Sequence, residues 1–387
     1  MYTKDQLNDL YERTAKAIDI SDELFDAADE EYRRLGKWID KETPEYKITI
    51  YPQGSFALGT VIKPFDESED YDLDLVCEFE QQYGLTPSEL KNDVVKPLLE
   101  DYRNVKGKVQ EKRRCWRVEY EDFPQFHMDI VPAVNRINFI DITDHDEDFD
   151  LYDYTGSNPS AYADWFRSRK AKRRTALVEQ YCTEHRNLVT CQADIEQLKE
   201  YNFKTPLQKA IQILKRHRNI MFLKDENNCL PVSIIISTIA AELYNNEDNI
   251  VDTLVNILGK AEAYILSHKV GTEYHVDNPC YTGGDTENFA DKWNEYPERA
   301  AAFFNWIRKA KMDLIDQRLY GLIRVQMAEN IKLALGEKTG TRVFSDMAKE
   351  EEQAILAQQA KVNTATGVIS SSGTVPVPPN HNHGEVS

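Results

Sequence analysis

Tyr71-Asp-Leu-Asp-Leu-Val-Cys-Glu-Phe79 is the stretch from which the rest of this chain can be read. Side chains alternate across a β-strand, so Leu73, Leu75 and Cys77 share one face and Asp72, Asp74 and Val76 the other. The pattern predicts a strand with an apolar back and two carboxylates at i and i+2 on its front. Upstream, Tyr46 to Pro52 also alternates and runs into the turn Gly54-Ser-Phe-Ala-Leu-Gly-Thr60. Downstream, Arg114 to Tyr120 and Phe126 to Val131 read as paired strands joined around Asp122-Phe-Pro124, the second carrying Asp129. Residues 22 to 40 are predicted helical, with Ser21 as cap and Leu24, Ala28, Tyr32, Leu35 and Ile39 at helical spacing. Thr86-Pro-Ser-Glu89 is a capping box that opens a helix to about Tyr102.

From about residue 160 the texture is mainly helical. Thr205-Pro-Leu-Gln208 repeats the cap, proline and box, and the helix it opens carries Leu207, Ile211, Leu214 and Met221. Further helices are expected over Pro231 to Leu243, Asp248 to Leu266, Pro297 to Asp313 and Asp316 to Leu335. The tail from about Thr364 is rich in Ser, Pro, Val and Asn and is expected to be disordered. The fold class is therefore α/β (α+β): a lobe with a mixed sheet, followed by a mainly helical lobe.

Composition narrows the functional classes. The 387 residues are 41% hydrophobic and 10% aromatic, which fits an ordered protein of two lobes. No apolar run approaches the ~20 residues of a membrane span; Pro231 to Leu243 is interrupted by Ser233, Ser237, Thr238 and Glu242. The N-terminus lacks the basic start and apolar stretch of a secretory signal. A cytoplasmic location, with no membrane partner, is the expectation. Six cysteines without a CxxC pair suit a reducing compartment. Cys182, His185 and Cys191 supply three zinc ligands without an evident fourth, so structural zinc is not expected. The net charge of −19 disfavours long nucleic acid. It leaves room for small nucleotides, because divalent cations invert the local field. The basic run Arg167 to Arg174 is expected as a solvated helix face offsetting the acidic segment Asp141 to Asp153.

Gly54-Ser55, Asp72-x-Asp74 and Asp129, in that order, answer the needs of nucleotidyl transfer. Gly54 lets backbone approach a phosphate and Ser55 adds a hydroxyl donor. Two aspartates on one strand face, completed by Asp129 from a neighbouring strand, can hold two Mg²⁺ ions, for which Mn²⁺ can substitute. Asp129 lies in an otherwise apolar strand, where an unpaired carboxylate is costly. Each element alone is common; together they point to a metal site. His127, two residues before Asp129, is expected as a hydrogen-bonded neighbour of that site. A base-stacking aromatic is expected but cannot be chosen among 20 tyrosines.

These residues resemble the DNA-polymerase-β-like nucleotidyltransferase superfamily and, within it, the bacterial cyclic-oligonucleotide synthases related to cyclic GMP–AMP synthase and oligoadenylate synthase. The resemblance rests on Gly54 to Thr60, Tyr71 to Val76 and His127-Met-Asp-Ile-Val-Pro-Ala133. It continues through Leu214-Lys-Arg-His-Arg-Asn219, Pro231-Val-Ser-Ile234, Asn278-Pro279 and Glu287-Asn-Phe-Ala-Asp-Lys-Trp293, covering about residues 20 to 340. It implies a bilobed enzyme with its active site in the cleft: residues 1–160 as the nucleotidyltransferase core with an N-terminal helix, 161–345 as a helical nucleotide-binding lobe, and 346–387 as a helix end and flexible tail. Lys215 carries over as a phosphate-binding cation and Ser233 as a second phosphate donor. Lys215 lies off the apolar stripe of its helix and is expected to face the cleft freely. Phe289 and Trp293, four apart, are expected in the core.

The implied activity uses ATP, with other nucleoside triphosphates left open, to build a cyclic di- or trinucleotide for antiphage (CBASS) signalling, releasing pyrophosphate. Linear 2′–5′ oligoadenylate synthesis and an inactive nucleotide-binding scaffold are the alternatives, and the presence of all three carboxylates argues against the scaffold. The resemblance also implies an accessory protein that acts on the C-terminal tail ending in Gly384-Glu-Val-Ser387.

Overall fold

A computed structural model describes residues 2–64, 71–80, 83–102, 109–119, 126–184, 203–225, 227–281, 283, 287–357, 361–362, 369–370 and 375–376. The alternation around Tyr71 becomes the middle of a seven-stranded mixed sheet. Its strands are β1 (Ile48–Pro52), β2 (Tyr71–Phe79), β3 (Gln110–Glu111), β4 (Trp116–Glu119), β5 (Phe126–Asn135), β6 (Ile140–Asp146) and β7 (Leu151–Ser157). The order is β1-β2-β5-β4-β3, with β6 on the far half of β5 and β7 beyond it. Among the described strands of this sheet, β2 and β5 alone run parallel and the other pairs are antiparallel. The parallel register sets Asp72 opposite His127 and Asp74 opposite Asp129.

Leu73, Leu75, Cys77 and Phe79 turn to the back of the sheet, where they are buried with Trp116, Val118, Met128 and Ile130. Ala28, Leu35 and Ile39 of the helix Asp22–Glu42 cover them. Ser21 caps that helix as expected, its hydroxyl accepting from the Leu24 N–H. Glu89 likewise returns to the Thr86 N–H at 2.9 Å. The helix that follows is not uniform: Glu89–Val95 has π-helical hydrogen bonding and Lys96–Glu100 is α-helical. Pro97 lacks an N–H, which removes an i→i−4 bond at the junction.

The helical region begins earlier in the chain than the texture indicates. Helix α1 (Lys4–Ile18) precedes α2 (Asp22–Glu42), capped reciprocally by Thr3 and Gln6. Its Leu7, Leu10, Tyr11, Ala15 and Ile18 are buried in the same cluster as the C-terminal helices, not against the sheet. After α3 (Gly54–Leu58) and α4 (Lys96–Glu100) come α5 (Pro159–Glu184), α6 (Pro206–Met221), α7 (Ser233–Leu243) and α8 (Ile250–Ser267). The last are α9 (Asp291–Glu295), α10 (Pro297–Leu314), α11 (Arg324–Leu335) and α12 (Glu337–Leu356). The helix expected over Asp316 to Leu335 is broken: Gln317–Gly321 is a 3₁₀ turn, and extended backbone at Leu322 and Ile323 separates it from α11. Among the described residues no helix is long and apolar enough to cross a membrane.

Two charged segments behave differently from expectation. The run Arg167 to Arg174 lies on α5, and its arginines clamp neighbours. Arg169 donates to the carbonyls of Ala241 and Glu242, both at 2.8 Å, satisfying the C-terminal end of α7. Arg173 pairs with Asp248 at 2.8 Å. The acidic segment Asp141 to Asp153 forms the β6–β7 hairpin and takes its counter-ions from the sheet: Arg113 and Arg114 on Asp144, Arg136 on Asp141.

The segment Glu287 to Trp293 locks structure. The half-buried Glu287 carboxylate accepts from Ser157 and Asn278, and the Asn288 side chain binds the main chain at Tyr274, Val276 and Ala290. Trp293 is buried and Phe289 packs against the same cluster. The tail expected to be disordered carries, in its described part, two short strands, β9 (Ile369–Ser370) and β10 (Val375–Pro376), each pairing antiparallel with β8 (Lys361–Val362) just before it. The β-branched Val362, Ile369 and Val375 suit that pairing. His185, Cys191, the Cys182 side chain and Gly384 to Ser387 lie outside the described residues.

Candidate active site

The front of the sheet gathers the acids. Asp72 and Asp74 project from β2 and Asp129 from β5. One ligand atom each of Asp72, His127 and Asp129 lie within 4.8 Å of one another. His127 Nε2 meets Asp72 Oδ1 in a short contact, the neighbour role expected of it. Asp74 stands beside this group, next to Asp129 in the register.

Arg117, which sequence reasoning missed, reaches in from β4, where it is the register partner of Asp129. Its Nε and Nη2 each donate to Asp129 at 2.8 Å, and Nη2 also reaches Asp72 at 3.2 Å. A bidentate pair of this kind is among the stronger charge-assisted contacts. The Asp129 hydrogen bonds raise the arginine's pKa further.

Three carboxylates so close repel one another. Desolvation, then the charges of Asp129 and Asp72, push the Asp74 carboxyl up to about 7. Asp72 moves the other way: desolvation opposes its charge, but the hydrogen bond and charge of His127, with Arg117, hold its pKa below the usual range. A cluster of hard oxygen donors with one carboxyl held up for want of positive charge fits a divalent cation.

The glycine turn is built against these acids. Gly54 has φ +58°, and a Cβ there would lie 2.5 Å from Asp74 Oδ2. Both the left-handed backbone and the close approach therefore require glycine. Gly54 opens the single-turn helix α3, which closes on Gly59 at φ +66°. Ser55 follows, on the wall of a pocket of ≈ 430 Å³.

The opposite wall comes from α6 and α7. Gly54, Ser55, Asp72, Asp74, Lys215 and Ser233 all line this pocket. Asp129 stands behind it, joined to Asp72 through Arg117. Tyr71 is an aromatic ring in the lining. Lys215 differs from expectation: it is not free but buried, its Nζ donating to the Thr60 carbonyl at 3.0 Å. Burial, then the charge of Arg218, lower its pKa to about 7. The polar face of α6 holds the chain after the glycine turn. Gln208 binds the Leu58 carbonyl at 2.9 Å, Gln212 that of Val61 at 2.7 Å, and Arg216 that of Lys63. Ser233 is the first residue of α7, and its Oγ accepts from Arg218 Nη1 at 2.7 Å. A larger cavity of ≈ 690 Å³ lies among α1, α6 and α12, but its walls carry matched charges such as Lys204–Asp19, Lys209–Glu12 and Arg13–Glu350.

Comparison with known proteins matches the arrangement. The family described as cyclic GMP-AMP synthase DncV-like, nucleotidyltransferase domain, matches residues 48–132, the span from β1 to Asp129 and just beyond. A c-di-GMP synthase of Roseivirga ehrenbergii is 31% identical over 315 residues, which are 79% of this chain and 77% of that protein. The chain belongs to the DncV-like nucleotidyltransferase family. The cyclic dinucleotide synthase CdnG of Bradyrhizobium diazoefficiens is 27% identical over 305 residues, 75% of this chain and 71% of that one. In fold, the solved structure of that CdnG in complex with GTP superposes with a TM-score of 0.69 at 22% identity, covering 89% of this chain and 98% of that one. Escherichia coli MS115-1 CdnC with ATP follows at 0.59 and 15%, covering 85% and 97%.

This DncV-like chain is thus a nucleotidyltransferase, and its family is one of cyclic-dinucleotide synthases. Nucleotidyltransferases of the family normally work with divalent metals, for which the Asp72, His127 and Asp129 group is suited.

Proposed function

We propose that this enzyme joins nucleoside triphosphates into a cyclic dinucleotide, with GTP ahead of ATP as substrate. The observation that carries the reading is the parallel β2–β5 register, which sets Asp72 and Asp74 against His127 and Asp129, the first two lining a pocket that also holds Ser55, Lys215 and Ser233. GTP is placed first because the 31%-identical relative is named a c-di-GMP synthase; the residues themselves leave the base open.

Asp72, Asp74 and Asp129 would hold two Mg²⁺ ions, or Mn²⁺, which lower the pKa of an attacking ribose hydroxyl and offset charge on the α-phosphate. Lys215 and Ser233, with Ser55 and the backbone at Gly54, bind the triphosphate tail. They thereby set the α-phosphorus over the carboxylates, and pyrophosphate leaves toward the Lys215 wall. Cyclisation repeats the transfer with the linear intermediate turned end for end.

The boundaries 1–160, 161–345 and 346–387 are proposed to follow this division of labour. The first carries the acids, the second the phosphate-binding cations, and the third the tail. Helix α1 packs with the second. The setting is proposed to be cytoplasmic antiphage (CBASS) signalling, with an accessory protein acting on the tail. Deleting residues 370–387 should abolish tail-dependent behaviour in cells; unchanged behaviour would remove that part of the proposal.

The test is incubation with the four ribonucleoside triphosphates and Mg²⁺ or Mn²⁺, then phosphatase treatment and mass spectrometry. A phosphatase-resistant ring is expected and would identify the bases. Phosphatase-sensitive chains would replace the cyclic reading with a linear one.

A further inference from the structure

Arg218 is a buried cation without a carboxylate. It is 7% exposed, and among the described residues it makes no ion pair. Its donors go to neutral acceptors: Nη1 to Ser233 Oγ at 2.7 Å and to the Pro231 carbonyl at 2.8 Å, Nε and Nη2 to Asn219 Oδ1 at 3.0 and 2.7 Å. Burying a charge in this way is costly unless something offsets it. The side chain lines the ≈ 430 Å³ pocket, one turn beyond Lys215 on α6.

The direction of the Ser233 bond matters. A guanidinium only donates, so Ser233 Oγ is fixed as the acceptor. The hydroxyl proton cannot point at Arg218, and among the described residues no acceptor for it is found. Ser233 lines the pocket, so the proton has the pocket to turn toward. It stands there at the start of the 11-residue helix α7, whose cap residue Val232 offers no side-chain bond to the first N–H groups.

We propose that Arg218 is a positioning residue for a triphosphate: it turns the Ser233 hydroxyl outward as a donor to phosphate oxygen and leaves an uncancelled positive charge behind Lys215. The inference rests on the nucleotidyl-transfer reading and deepens it. It makes the site a discriminator of phosphate-chain length, favouring a triphosphate over a monophosphate.

The test compares wild type, Arg218→Lys, Arg218→Gln, Ser233→Ala and the Arg218→Gln/Ser233→Ala double variant. It reads binding of inorganic tripolyphosphate and of GMP by calorimetry, and KM and kcat for GTP. Arg218→Gln is expected to weaken tripolyphosphate binding and raise the KM for GTP by about tenfold or more, leaving GMP binding unchanged. Ser233→Ala should do the same to a smaller degree, and the double variant should be no worse than Arg218→Gln alone, since both act through one hydroxyl and one charge. Arg218→Lys should restore most of the loss. Equal weakening of GMP and tripolyphosphate, or unchanged tripolyphosphate binding in Arg218→Gln, would overturn the inference. If Arg218→Gln does not fold, Ser233→Ala and Arg218→Lys decide: unchanged tripolyphosphate binding in the first, or no selective binding in a folded second, overturns it. A wild type that binds tripolyphosphate through Arg218 but makes no product from any nucleotide would leave this inference standing and remove the function on which it was built.

Discussion

The two walls of the pocket are charged in opposite senses and neutralised in different ways. On the sheet wall, the acids already have a cation in Arg117, which holds both oxygens of Asp129 and one of Asp72. On the helix wall, Lys215 and Arg218 are buried against carbonyls, a hydroxyl and an amide, with no acid paired to either among the described residues. The first wall has a counter-ion that can be exchanged for another cation. The second has buried positive charge met by neutral acceptors alone, which suits an anion.

Removing an acid should separate the walls most sharply. Asp74→Asn is expected to cut turnover by roughly 10³-fold or more. It should leave the melting temperature unchanged or higher, because a repelled carboxylate is gone. Pyrophosphate release and thermal melts read the two effects; substantial residual activity would sink the metal assignment.

Lys215→Met comes next, with kcat/KM for the nucleotide expected to fall about 10²-fold. This lysine also sets a pH dependence. Its pKa falls from the ordinary 10.5 to about 7 in the folded state. The unfolded chain therefore binds more protons between those values, and its contribution to stability grows as pH rises from about 7 and is absent below that. Melting temperatures should climb more steeply with pH over this window in wild type than in Lys215→Met. Parallel curves would show that the lysine is not held neutral.

Arg117→Ala tests the exchangeable counter-ion. Mn²⁺ binding is expected to tighten by about tenfold, while the metal-free protein melts lower. Weaker Mn²⁺ binding would instead make Arg117 a support for its ligands. Glu287→Ala lies outside both walls and should have the least effect on chemistry. It should lose about 1–3 kcal/mol of stability with the Ser157 and Asn278 bonds, measured by denaturant unfolding, and keep kcat within about twofold.

Much of the sheet wall was legible in the sequence because strand alternation is a strong local signal. Tyr71 to Phe79 and Phe126 to Val131 gave both faces, and their apolar backs implied adjacent strands. Gly54 was legible as a close-approach glycine, although its neighbour, the Asp74 carboxylate, was not. Arg117 lay within a predicted strand, but only the β4–β5 register brings it to Asp129. The helix wall was harder. Lys215 reads as a cleft residue but not as a buried one, and the contacts of Gln208, Gln212 and Arg216 draw no reading at all, because a side chain that binds a main-chain carbonyl has no complementary residue to betray it. Helix α1 was readable in principle from Thr3-x-x-Gln6 and the spacing of Leu7, Leu10, Tyr11, Ala15 and Ile18. The lock at Glu287 was invisible, since Ser157 and Asn278 are far from it in the chain or joined by a turn.

Those four α6 side chains also constrain traffic through the enzyme. They fasten the segment from the end of α3 at Leu58 to Lys63 at every second residue or closer, and together such bonds cost about 2–6 kcal/mol to break. The seam between glycine turn and cation wall is therefore fastened by side chains of a single helix. On the cyclisation proposed above, the intermediate would turn beside this fastened seam, so the slow step to look for belongs to the cargo and not to the jaws.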